Sequence, residues 1–275
     1  MLNARDNLKE TYDRNGYVFP IRVFPDEEAD RYRKCYLEYV QSIREELAEL
    51  KPREEYRFFA ETHAYLPWVY EMATSTGVLD AVEAILGPDL MIWDSRWFAK
   101  PPRSSSYVSW HQDGVYYGLT PPNVATAWIA LTRSGDENGA MQVIPGSHRG
   151  PQLPHEDKPS DTNILARGQE ISVQIRREEA VTLELKPGEM SIHHVGIIHG
   201  SEANRSDGWR IGLAVRFITP DVVQNAEQSF AMLVRGEDRF GHFTLFDKPA
   251  AAEGAEMAEA RVRIIDQVYG NLMRK

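Results

Sequence analysis

The chain has 275 residues, 42% hydrophobic and 26% charged, values that suit a globular protein with a substantial core and exclude wholesale disorder. Its net charge of −10 argues against a protein that grips nucleic acid by its phosphates or sits on anionic lipid. No apolar run approaches the roughly 20 residues that a membrane span needs. The single cysteine, Cys35, excludes an intramolecular disulfide framework and, with a charged N-terminus "MLNARDNLKE" lacking an apolar core, predicts a reducing, cytoplasmic setting.

The first hundred residues read as mostly helical. In "PDEEADRYRKCYLEYVQSIREELAEL", Tyr32, Cys35, Tyr36, Tyr39, Val40, Ile43 and Leu47 recur at helical spacing behind Pro25 and a run of acids. A second helix is predicted through "GVLDAVEAIL", stopped by Gly87-Pro88. From about Leu90 the texture changes to strands: "LMIWDSRWFAK", "YVSWHQD", "VATAWIALT", "AMQVIP", "ISVQI", "AVTLEL", "MSIHHVGIIH" and "RIGLAVRFI". Turn-rich "RSGDENG", "PGSHRG" and "KPGE" separate them, which predicts a barrel or a double-sheet jelly roll. After Pro220 a loop-rich segment leads to a helical tail, "GAEMAEARVRIIDQVYGNLM". The expectation is one domain, 1–275: a helical part to about 89, a β core to about 220, then loop and helix.

Two stretches carry chemistry. In "SWHQDGVYYGL" strand alternation would project His111 and Asp113 together and Gln112 away. A carboxylate beside an imidazole among aromatic residues is costly to bury unless a positive charge compensates it, and a divalent metal would do so. In "EMSIHHVGIIHGSEANRSDGWRIGLAVRF", read as strands, His193, Val195, Ile197, His199 and Ser201 share a face. Arg210 shares another with the small residues Gly212 and Ala214, which leave a hollow for a carboxylate on the guanidinium. His111, Asp113 and His199 make two imidazoles and one carboxylate. That is the facial set of non-haem Fe(II) oxygenases, with three coordination positions open.

With these four positions in order, the sequence resembles the phytanoyl-CoA dioxygenase superfamily of Fe(II)/2-oxoglutarate-dependent oxygenases. Its His-x-Asp pair, distal His and later Arg match His111, Asp113, His199 and Arg210. "NGYVFPIRVF" and "TAWIALTRSGDENGAMQVIPGSHRG" look like its flanking segments. "NILARGQE" and "HGSEANRSDGWRIGLAVRFI" resemble a subgroup that includes carrier-protein-dependent halogenases. The resemblance implies a mainly β, double-stranded β-helix (jelly roll, cupin-like) core buttressed by N- and C-terminal helices. It implies Fe(II), 2-oxoglutarate and O2 as cofactor and cosubstrates. His111, Asp113 and His199 would bind iron, with Arg210, seconded by Ser201, on the far carboxylate of 2-oxoglutarate. Those halogenases replace the metal carboxylate by a small residue; Asp113 is retained here, so hydroxylation is expected.

For substrate contact the candidates are Tyr116, Tyr117 and Arg167, with a small molecule, free or carrier-tethered, as the expected partner and no nucleic acid or membrane. The same chemistry could serve desaturation, epoxidation, cyclisation or demethylation. Two other readings of the residues stand beside it: a Zn²⁺ hydrolase on the same three ligands, and a barrel that only binds ligand. His193 and His194 read as structural or supporting, His148 as a turn residue, and Trp97, Trp110 and Trp128 as core or pocket wall.

Overall fold

The computed structural model describes residues 4–50, 54–165, 167–250 and 254–270. Two antiparallel sheets organise the fold. The larger has seven strands in the order Tyr17–Arg22, Glu189–His194, Val124–Ala130, Arg210–Ile218, Leu90–Lys100, Phe230–Arg235 and Thr244–Leu245, with only the last pair parallel. The smaller runs Val108–His111, His199–Ser201, Met141–Val143 and Val181–Thr182.

Period-two burial places the two cores. On Arg210–Ile218, Ile211, Leu213, Val215 and Phe217 face outward into a cluster with helical residues Tyr32, Tyr36, Val69, Val82 and Ile264. The helices Asp26–Ser42, Pro67–Ala73, Thr76–Leu86 and Gly254–Tyr269 thus cover that face of the large sheet. Its opposite face meets the small sheet, where Phe98, Trp128 and Ala214 pack on Val108, Met141, Val143 and Ile197. The result is a mixed α/β fold, one large sheet with flanking helices, rather than a mainly β one.

The first predicted helix is broken at Ile43 into Asp26–Ser42 and Arg44–Ala48, and the second forms. Asp26–Ser42 opens behind Pro25 with three acids in its first turn and buries Ala29, Tyr32, Tyr36 and Tyr39. Thr76–Leu86 ends at Gly87, whose φ of 101° no β-carbon would favour. The tail helix spans Gly254–Tyr269, and the rest of its predicted stretch, 271–273, lies outside the described residues.

Four strand expectations need correction. The stretch 190–199 is two strands, interrupted by a turn at Val195-Gly196 that carries the chain from the large sheet to the small one. "ISVQI" contributes only Ile171, in a hairpin of His155–Asp157 with Gln169–Ile171 outside both sheets. Tyr17–Arg22 is a strand inside the supposedly helical region; Pro20, which lacks an N–H, suits its place at the sheet edge. Phe230–Arg235 is a strand within the supposed loop.

Candidate active site

His111 and His199 end neighbouring strands of the small sheet and stand directly opposite each other in its register, with ring centroids 4.1 Å apart. Each ring is fixed by its own backbone. His111 Nδ1 donates to Ser109 O at 2.8 Å and His199 Nδ1 to Ile197 O at 3.1 Å, which turns both Nε2 atoms toward a ligand.

Asp113 arrives by a different route from the one strand alternation predicted. The strand stops at His111, and Asp113 has helical dihedrals (φ −58°, ψ −42°) at the start of the short helix Gly114–Tyr117. Gln112 holds that bend, donating to Gly196 O at 2.8 Å and accepting from Leu153 N at 2.8 Å. Asp113 Oδ1 then lies 3.2 Å from His111 Nε2. One ligand atom from each of the three residues falls within 4.8 Å of the others, and the residues are only 2%, 4% and 6% exposed.

The electrostatics suit a divalent cation. Burial would raise the Asp113 carboxyl, but Arg216, His111 and His199 together hold it well below the usual carboxylate range, so it is ionised. Burial first, and His111 second, keep His199 well below its ordinary value, hence neutral. A buried carboxylate whose Oδ2 lacks a hydrogen-bond donor, beside two ring nitrogens free to coordinate, fits a metal in the 2-His-1-carboxylate class.

A basic end closes the same cavity of about 40 Å³, whose lining includes Phe98, Trp128, Ser201 and Arg210. Arg210 is 2% exposed; its Nη1 donates to Gly139 O at 2.6 Å while Nε finds no partner. Burial lowers its pKa to about 10. Gly212 does not leave a hollow as the sequence suggested. An added Cβ there would meet Trp128 Cζ2 at 2.1 Å, so the indole of the neighbouring strand fills the space and lies 5.2 Å beneath the Arg210 guanidinium. Ser201 faces the same cavity, and its Oγ accepts from Lys100 Nζ at 2.8 Å.

Lys100 escaped sequence reasoning. It is fully buried and stands opposite Arg210 in the sheet register, so two basic side chains stand together at this end of the site. Strand alternation from Phe98 held the signal, because Asp94, Arg96, Phe98 and Lys100 alternate onto one face of that strand. Arg216, also missed, lies on the face shared by Arg210, Gly212 and Ala214, and lines the cavity near Asp113.

The remaining candidates separate. Tyr117 is at the back of Asp113, its hydroxyl accepting from Arg216 Nε at 2.5 Å. Tyr116 and Arg167 meet on the outer hairpin instead. Arg167 donates to Asp157 at 2.7 and 2.9 Å and stacks over the Tyr116 ring at 5.0 Å, outside the cavity lining. His193 faces Asp113 Oδ2 at 4.0 Å with both ring nitrogens unpartnered, whereas His194 accepts from Gly196 N and secures the turn. His148 bonds the Asp13 carbonyl from the Gly146–Gly150 turn.

The profile of the phytanoyl-CoA dioxygenase (PhyH) family matches residues 12–212. The peroxisomal phytanoyl-CoA dioxygenase of Bos taurus is 26% identical over 267 residues, covering 87% of this chain and 78% of that one. A solved apo structure of the non-heme monooxygenase ThoJ is 32% identical, covers 96% of this chain and 99% of its own, and superposes with a TM-score of 0.80. CytC3 with Fe(II) and α-ketoglutarate shares the fold at 20% identity and a TM-score of 0.61, covering 92% of this chain and 94% of that one. These matches correct the expected cytoplasmic location, since the bovine relative is peroxisomal. A single cysteine and a charged N-terminal stretch do not separate those compartments, because peroxisomal import reads a short address rather than a hydrophobic segment. Among the described residues no helix is long and apolar enough to cross a membrane. The chain belongs to the phytanoyl-CoA dioxygenase family and catalyses an Fe(II)- and 2-oxoglutarate-dependent oxygenation of a small organic substrate.

Proposed function

We propose that the enzyme hydroxylates an unactivated C–H bond of a small polar metabolite or natural-product intermediate, releasing succinate and CO2. The observation that carries this reading is the buried, ionised Asp113 completing the triad with His111 and His199. An Asp ligand occupies the position that a halide would need, which favours hydroxyl over halogen transfer. Fe(II) held by these three residues supplies activation of O2 coupled to decarboxylation of 2-oxoglutarate.

The chain's own residues do the rest. His111 and His199 present Nε2 because their Nδ1 protons are tied to backbone carbonyls. At the other end Arg210 would take the far carboxylate of 2-oxoglutarate, with Ser201 as a second donor and Lys100 bonded to Ser201 behind it. The buried, unpartnered Arg210 Nε supports that assignment. Trp128 and Phe98 keep water from the cavity between. We read the two sheets as the halves of a double-stranded β-helix and the chain as one dioxygenase domain.

Tyr116 and Arg167, on the outer hairpin, and Tyr117, behind Asp113, are the side chains we assign to substrate contact. A separate cavity of about 440 Å³, lined by Arg96, Trp97, Ile164 and Leu165, is large enough for a small organic molecule. Whether that substrate arrives free or on a carrier protein is decided by assaying both forms.

The test is succinate release with 2-oxoglutarate varied. Arg210→Gln is expected to raise the KM for 2-oxoglutarate on the order of 10²-fold with kcat largely kept, because truncating one partner of a buried charged pair costs about 3 kcal/mol. An unchanged KM would refute the assignment.

A further inference from the structure

At the level of the triad, the inward-facing residues of the large sheet form a polar row. Pairing sets His193 opposite Thr126, Thr126 opposite Arg216, and Arg216 opposite Asp94. Arg216 is buried and divides its guanidinium between two directions. Nη1 is ion-paired with Asp94 Oδ1, whereas Nε is turned to the Tyr117 hydroxyl and stands 3.9 Å from Asp113 Oδ2.

The two oxygens of Asp113 therefore see different surroundings. Oδ1 points to the convergence of ligand atoms, 3.2 Å from His111 Nε2. Oδ2 points away, between Arg216 Nε at 3.9 Å and His193 Nε2 at 4.0 Å, and has no hydrogen-bond donor of its own. A carboxylate can bind a metal through one oxygen or both, and the second mode consumes a coordination position. A keto acid bound through two atoms, plus dioxygen, needs all three positions that the facial triad leaves open.

Arg216 is also braced from behind. Its partner Asp94 lies against Glu61, which is 1% exposed, sits at a φ of 52° that is unusual outside glycine, and accepts from the Tyr269 hydroxyl at 3.1 Å. One arginine between the half-buried Asp94 and the buried Asp113 leaves an excess negative charge at Asp113, which a metal would balance.

We infer that Arg216 is a positioning residue for the metal. By facing Asp113 Oδ2 it keeps that carboxylate bound through Oδ1 alone, so the third open position stays available to cosubstrate and O2. The inference rests on the metal-site reading above and is tested separately from it.

Cobalt(II) is the probe, added without oxygen to the full-length apoprotein and followed by its visible ligand-field spectrum. Arg216→Met alone would strand Asp94, so the pair is removed together as Asp94→Leu/Arg216→Met, which leaves no unpaired partner in that pair. Arg216→Lys keeps a cation facing Oδ2. Wild type and Arg216→Lys are expected to share a cobalt spectrum and to shift it alike when 2-oxoglutarate is added. The double variant, with unchanged far-ultraviolet circular dichroism, is expected to show the weaker absorption of a more highly coordinated ion and to bind 2-oxoglutarate at least about tenfold more weakly. The same spectrum and the same 2-oxoglutarate affinity in the double variant would overturn the inference and make Arg216–Asp94 a structural pair. Failure of wild type to bind cobalt at all would overturn the metal site itself, and the inference with it.

Discussion

Lys100 is a basic side chain held where a charge is costly. It is fully buried, bonded to Ser201 Oγ at 2.8 Å, and its pKa is pushed down to about 6, by burial first and by neighbouring Arg210 second. An unfolded chain keeps that proton to a pH near 10.5, whereas the fold sheds it above about 6. Between those values the unfolded state binds more protons, so stability rises with pH. The contribution is complete only above the unfolded pKa and is lost as pH falls toward about 6. Urea midpoints of the apoprotein are therefore expected to climb from about pH 6 to about pH 9, and Lys100→Met to flatten that climb. Equal slopes in both proteins would contradict the account. The metal ligands were legible at this scale because a His-x-Asp pair, a distant His and a following Arg form a pattern whose chemistry demands those residue types. Lys100 and Arg216 were not, since a lysine ending "RWFAK" or an arginine inside a strand carries no motif; alternation hints at their face, and register places Lys100 opposite Arg210 and Arg216 opposite Asp94.

Between neighbouring strands, the packing of Trp128 over Gly212 sets the shape of the basic end. Gly212 needs no unusual backbone, so its requirement for glycine is the indole itself, 2.1 Å from where a Cβ would lie. Gly212→Ala would push that ring toward Arg210, at an overpacking cost of about 1–3 kcal/mol. The expected outcome is a raised KM for 2-oxoglutarate with kcat little changed, relieved when Trp128→Phe is added. Steady-state succinate release checks it, and a KM that stays put or is not rescued would refute it. Strands Leu90–Lys100 and Arg210–Ile218 were readable to the residue, because long apolar alternation bounded by Pro and Gly leaves little choice. The turn at Val195-Gly196 was not. An unbroken apolar run hides the point where a chain leaves one sheet for another, and here Gln112, remote in sequence, fixes that turn together with the adjoining His194. Asp113 was read on strand alternation, a geometry that the structure replaces with a helical bend.

Across the whole molecule, the helical layer and the small sheet do different work. The helices seal the outer face of the large sheet with aromatic and aliphatic residues, giving the inner face a rigid base. The small sheet brings His111 and His199 into register opposite that base, and the large sheet supplies Arg210, Lys100 and Arg216 from its inner face. The C-terminal helix reaches the same machinery through Tyr269 and Glu61. Helices and a β core were foreseeable from texture, but the share of the fold given to helix, and the strands contributed by 17–22 and 230–235, depended on pairing partners far along the chain. What unites these layers is a single claim, that one buried cavity holds Fe(II) at His111, Asp113 and His199 and 2-oxoglutarate against Arg210. The most direct measurement is the visible spectrum of the apoprotein, without oxygen, as Fe(II) and then 2-oxoglutarate are added. The account predicts a weak metal-to-ligand charge-transfer band that appears only when both are present and is absent from folded His199→Ala. Folded, iron-loaded protein that shows no such band on addition of 2-oxoglutarate would contradict it.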